Sequence, residues 1–338
     1  MPKPIRPLLV AATALAAPAL TLAQTTPAHA FGTVNSFGQH AEHERITRAA
    51  LACAPGKPSD GTCFEPRSLD QLAGHQRTFG AVGAPDSDEV LTPEAHCDNA
   101  DYLAQPGYPR SRAEATRQLL TCVGKLRTRF TEGVTAAGST LAADGSVAAR
   151  ESDLAKDCTF ALGFRGRAKC NSVEGLGRAL HGVQDFYSHS NWSDRPDSGR
   201  PVGKDNPPGL DLPAPSPLFA LADSRPPQQA AVPEGLTTGC FSLVLLCGKR
   251  VQHSALNKDE GTVDPATGAT TAPATPRGRT DGNFERAVRA AVTDTRRQWA
   301  DFRTALDQRY GKERGERIAC VLTRDTPARD CAPTPPRH

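Results

Sequence analysis

Beyond its first thirty residues the chain has no run long and apolar enough to cross a bilayer as a helix, which excludes a membrane span there. It is also poor in aromatic residues, at 5%, so a core must be built from Ala, Leu and Val. Charge of one sign is not in excess: 40 Lys and Arg stand against 37 Asp and Glu, and two of the basic residues, Lys3 and Arg6, lie in the N-terminal segment. No basic stripe stands out. That argues against tight, salt-driven nucleic-acid binding, though not against a nuclease that holds phosphate through metal ions. No Cys-x-x-Cys pair occurs, which disfavours a Cys-rich zinc site. Alternating strand patterns are nearly absent, and Phe241 to Leu246 is too short to change the reading. No repeat and no shift in composition calls for a second domain.

What is present begins with an export signal. Lys3 and Arg6 precede an apolar stretch from Leu8 to Leu22, and Ala28-His29-Ala30 is a small-x-small cleavage site. Residues 1–30 therefore read as a secretory signal peptide, and 31–338 as the mature, extracellular chain. Ten cysteines follow the signal, an even number that in an oxidising compartment implies disulfides. Sequence does not fix their connectivity, but the short spacings suggest neighbour pairing: Cys53 with Cys63, Cys97 with Cys122, Cys158 with Cys170, Cys240 with Cys247, and Cys320 with Cys331.

Apolar residues recur at spacings of three and four in several stretches. Examples are Leu119, Val123, Leu126 and Phe130; Leu176, Leu180, Val183 and Phe186; and Val288, Val292, Trp299, Phe302 and Leu306. The expectation is an all-α, multi-helix single domain. Two Pro- and Gly-rich stretches, about 193–239 and 261–282, read as long surface loops.

The chemistry-bearing string is His181-Gly-Val-Gln-Asp185-Phe-Tyr-Ser-His189. On an α-helix positions i, i+4 and i+8 drift by only ~40° per step, so the three side chains share a face. A His and a carboxylate four apart can ligate one ion. Eight residues span ~12 Å, too far for the outer pair to share one zinc, so Asp185 between them is placed to bridge two ions. A surface ion pair, or a buried hydrogen-bonded pair, is the plain alternative. Other candidates are Asp86, His96, His253, and His40 or His43 ahead of Ile46-Thr47-x-x-Ala50-Leu51.

In this order the segments resemble the zinc-dependent phospholipase C / P1 nuclease superfamily. The strings Leu180 to Trp192 and His253-Ser-x-Leu-Asn257-Lys258-Asp259 are similar to its HET-C-like branch, and the whole chain resembles the actinobacterial secreted proteins labelled CinY. The resemblance runs through motifs between about 31 and 310. It implies a helical fold around two or three zinc ions and hydrolysis of a phosphodiester by a metal-bound hydroxide. The phospholipid head group is the first substrate class, and a P1-type nuclease is the alternative. It further implies that Asp86, His96, His181 and Asp185 hold one ion, and that Asp185 and His43 hold another with the backbone of Phe31 as the new N-terminus. His189 and His253 would hold the rest. Asp86 would orient or deprotonate the attacking water. The family's acidic residue four positions after the last His is here Asn257, a neutral and weaker ligand. That departure favours another reading, a non-catalytic, metal-stabilised extracellular or toxin-like binding protein.

Overall fold

The computed structural model describes residues 31–33, 39–76, 78–160, 166–225, 228–241 and 247–332; the expected signal segment lies outside them. In chain order the helices are α1 (Glu42–Leu51), α2 (Pro66–Ala73), α3 (Pro85–Asp88), α4 (Pro93–His96), α5 (Arg112–Ala137), α6 (Ala149–Ser152), α7 (Ala168–His189), α8 (Pro276–Arg279), α9 (Asn283–Tyr310), α10 (Lys312–Thr323) and α11 (Pro327–Asp330). Among the described residues the sheet content is one antiparallel pair, Thr262–Val263 with Thr270–Thr271. The protein is mainly helical, as the periodicity predicts.

Helix α7 is the central element, buried along nearly its whole length and packed against α5 on one side and α9 on another. Its stretch Gly175-Leu-Gly177 and its Gly182 explain how it gets there. A Cβ on Gly175 would sit 2.4 Å from the Gly133 backbone nitrogen of α5, and one on Gly182 would sit 2.6 Å from the Ala95 carbonyl of α4. Bare backbone on α7 thus lets its neighbours approach closely. Helix α5 starts from a capping box in which Ser111 and Glu114 satisfy each other's backbone N–H groups. The sparse aromatics are spent in the core, where Phe186 meets Phe219 and Phe130 meets Phe302, with ring centroids 4.8 and 5.1 Å apart.

All ten cysteines pair with their sequence neighbours as expected, and no thiol is free. The two Pro-rich stretches depart from the expectation of surface loops. Leu218, Phe219 and Leu221 are buried in the main core, and 261–282 carries the strand pair and α8. The physical reason is that α7 is buried along nearly its whole length. α5, α9, α4 and α2 cover part of it, and the first stretch adds the Phe219 ring against Phe186 and the Ser216 N–H to the Tyr187 hydroxyl. Asn191, the first residue of the sequon Asn191-Trp192-Ser193, is buried. Its amide donates to the carbonyls of Pro208 and Gly235 and so is spent on structure.

Candidate metal centre

His181, Asp185 and His189 all lie on α7, with His189 its last helical residue. Around Asp185 four further elements converge. α1 brings His43, which is fully buried, whereas His40 is exposed and takes no part. α3 brings Asp86. α4 brings His96, delivered to α7 across Gly182. The N-terminal segment brings Phe31, whose buried ring stands edge-on to His43, and Gly32, whose carbonyl accepts the His43 backbone N–H.

The distances are those of a ligand nest. Asp185 Oδ2 lies 2.9 Å from both His96 Nδ1 and His181 Nε2, and Asp185 Oδ1 lies 3.1 Å from His43 Nε2. Asp86 Oδ1 stands 3.6 Å from His181 Nε2 and 3.8 Å from His96 Nδ1. Asp86 is the member most open to solvent, and Thr33 donates its hydroxyl to the other carboxylate oxygen. The ligand atoms of His43, His181 and Asp185 fall within 4.8 Å of one another, as do those of Asp86, His96 and His181.

The outward nitrogens decide what the inward ones can do. His181 Nδ1 faces the Val82 carbonyl at 2.9 Å, His96 Nε2 the Glu89 carbonyl at 3.3 Å, and His43 Nδ1 the Gln184 Oε1 at 2.7 Å. Those partners only accept, so each ring donates outward. Gln184 is oriented by donating its own amide to Thr47 and Thr295. In a neutral imidazole the inward nitrogen then carries a lone pair. Three such lone pairs point at carboxylate oxygens, an arrangement that repels unless a proton or a metal ion lies between them. Backbone carbonyls and polar groups behind ligating histidines are the usual support of a metal site. Two of the converging atoms, His43 Nε2 and Asp185 Oδ1, are buried and have no hydrogen-bond partner among the described residues. The donor set of imidazole and carboxylate suits zinc.

Electrostatics point the same way. Burial pushes His181 down. Burial opposes the charged form of His96 too, but the hydrogen bond and charge of Asp185 lift it to about 9. Burial would raise Asp185, yet His181, His189 and His43 hold it well below the usual carboxylate range. The pocket demands positive charge. The α3 turn is itself clamped, because Arg178 of α7 pairs with Asp88 and Glu89, the two residues that follow Asp86-Ser87.

A second nest lies at the C-terminal end of α7, where the rings of His189 and His253 stand 4.2 Å apart and meet Asp98. Gly239 permits this, since a Cβ there would collide with His253 Cα at 2.3 Å. The acid expected from Asn257 comes from elsewhere. Asn257 Oδ1 accepts the Asp259 backbone N–H, while His189 Nδ1 and Nε2 lie 3.1 Å from Asp98 Oδ1 and Asp259 Oδ1 respectively. A continuous helix from His253 would turn Asp259, six residues on, to another face, but the chain leaves its 3-10 turn at Ala255 and the Asp259 carboxylate reaches His189. Asp98 and Gln184 were missed. The only sequence signal for Asp98 was its place two residues after His96, and Gln184 carried none beyond sitting next to Asp185.

No protein-family model matches this chain, and no curated protein or solved structure matches it.

Proposed function

We propose that the chain is a secreted, zinc-dependent phosphodiester hydrolase of the phospholipase C type, with the phospholipid head group as its first substrate class. The observation that carries this reading is the inward convergence of His43, His96 and His181 on Asp185 and Asp86, each ring locked from behind. Zinc, when bound, lowers the pKa of a coordinated water and offsets negative charge on phosphoryl oxygens. The chain's residues do the rest. Asp185 would help to hold metal through both oxygens, one facing His43 and the other His96 and His181. Asp86, partly open to solvent and held by Thr33, would orient the attacking water or take its proton. The backbone of Phe31, whose ring packs on His43, would complete the His43 side once the signal is removed.

A second reading rests on the burial of this centre. His43, His181, Asp185 and His189 are inaccessible, which suits a metal core that stabilises an extracellular binding protein without catalysis. The mature protein is assayed against a chromogenic phosphocholine ester and against single-stranded DNA, with its metal content measured in parallel. Turnover of the ester that a chelator abolishes is expected. Cleavage of DNA alone would move the assignment to the nuclease class. A fully metallated chain inert on both substrates would leave the stabilising role.

A further inference from the structure

Glu42 opens α1 and is wholly buried. Its carboxylate accepts backbone N–H groups from three separate segments: Gly32 at 3.0 Å, His40 at 3.0 Å to each oxygen, and Gly261 at 3.1 Å. A carboxylate taken out of water is tolerated where such donors replace the solvent. The helix start also gains from it, because Ala41 at the N-cap offers no capping side chain and negative charge suits a first turn. Gly32 is gripped twice, since its carbonyl accepts the His43 N–H at 3.2 Å. A Cβ at Gly32 would lie 2.4 Å from Glu42 Oε2 and 2.3 Å from Gln39 Cβ, so glycine alone fits this seat. The neighbours of Gly32 carry the consequence. Phe31 buries its ring against His43, and Thr33 donates its hydroxyl to Asp86 Oδ2. That bond leaves Asp86 Oδ1 as the oxygen turned toward His96 and His181. Gly83, just ahead of α3, makes room, for a Cβ there would lie 2.5 Å from Thr33 Cγ2.

We propose that Glu42 and Thr33 are positioning residues acting in series: Glu42 seats residues 31–33, and Thr33, so seated, aims Asp86. This deepens the metal-dependent reading of the first nest, on which it rests, but requires neither hydrolysis nor a Phe31 amine as ligand. Asp86 stands on a four-residue helix and is the member of the nest most open to solvent, so its carboxylate can turn out into water. The Thr33 hydroxyl occupies one oxygen and fixes the plane of the other, as outer partners fix the direction of metal ligands. A β-branched side chain has little freedom at χ1, so the direction of the Thr33 hydroxyl follows its backbone. That backbone is held one residue earlier, by Glu42. The same carboxylate holds Gly261, two residues beyond the Asp259 that meets His189, and so ties the second nest to the same anchor.

The test uses mature, metal-free protein titrated with cobalt(II) alone, whose visible spectrum reports ligand geometry. Thr33→Val removes the hydroxyl; it should weaken binding at the first nest about 10–100-fold and change the spectrum, and Thr33→Ser should restore both. Glu42→Gln sets an amide N–H among backbone N–H groups and should act like Thr33→Val. The double variant should be no worse than the worse single one, because residues acting in series do not add. Additive losses would overturn the series, and a spectrum and affinity unmoved by Thr33→Val would overturn the aiming of Asp86. Amide hydrogen exchange reads the seating without any metal. Glu42→Gln should speed exchange about tenfold at His43, which the Gly32 carbonyl holds, and at Gly261, with α5 and α9 unchanged. Unchanged exchange at both would overturn the seating, whatever the hydrolysis assay gives. Should Glu42→Gln fail to fold, the contrast between Thr33→Val and Thr33→Ser decides. A wild-type chain that takes up no cobalt would overturn this proposal together with the metal-dependent reading, whereas cobalt uptake with no hydrolysis would refute only the enzymatic one.

Discussion

His43 Nε2 and Asp185 Oδ1 stand 3.1 Å apart in the buried interior, and neither atom has a hydrogen-bond partner among the described residues. They come from α1 and α7, residues far apart in sequence, and the other ring nitrogen of His43 is committed to Gln184. Two ligand-type atoms held face to face define the interior of the first nest.

Gln184 touches no phosphate and offers no strong metal ligand, yet it orients His43. Gln184→Ala should weaken zinc binding at the first nest about 10–100-fold with the fold retained. Gln184→Glu, which keeps the acceptor oxygen, should recover most of the loss. Zinc titration followed by circular dichroism separates the two variants. Equal affinity in wild type and Gln184→Ala would remove the orienting role.

The N-terminal segment reaches the nest, with Phe31 buried and Gly32 bonded both to the His43 backbone and to Glu42. A free α-amine at Phe31, with a pKa of about 8, deprotonates readily beside a dication, whereas an amide nitrogen does not. Mature protein carrying one or two extra residues before Phe31 should bind one zinc fewer per chain and lose activity, with the helices unchanged. Equal metal content in the extended and native forms would count against a ligand at the terminus.

Cys97 lies between His96 and Asp98, which serve different nests, and its disulfide ties both to α5. Replacing Cys97 and Cys122 with Ser should therefore lower metal affinity at both nests. Replacing Cys320 and Cys331, at the C-terminal end, should cost stability alone, within the ~2–5 kcal/mol typical of a native bond. Elemental analysis of both variants after dialysis against a weak chelator makes the comparison. Similar zinc retention in the two would break the link.

Lys169 is buried and donates, among the described residues, to Ser68 and the Arg324 carbonyl, and burial pushes its amine from 10.5 down to about 7. Between those values the unfolded chain holds more protons than the folded one. Stability should therefore rise with pH from about 7 towards 10.5, by up to ~1.4 kcal/mol per pH unit. Lys169→Met should flatten that slope. Urea unfolding of both proteins at pH near 7 and near 9 reads the difference, and parallel pH dependences would dismiss Lys169 as its source.

Sequence alone determined the helical character, because a period of three to four in apolar residues survives any packing. It suggested, without fixing, the neighbour pairing of cysteines, because short loops bring them close, and it determined the shared face of His181, Asp185 and His189, because helix geometry is fixed. Tertiary structure decided what no local pattern encodes. It chose His43 over His40, made Asp259 a neighbour of His189, and drew Pro-rich stretches over α7 as core. It also gave Asp98 the acidic place beside His189 and His253 that Asn257 left open. The reason is physical. A ligand set is a convergence of atoms from separate segments, set by Gly182, Gly239 and the left-handed turns at Cys97 and Asn99, and spacing along one helix carries no information about which segments will meet it.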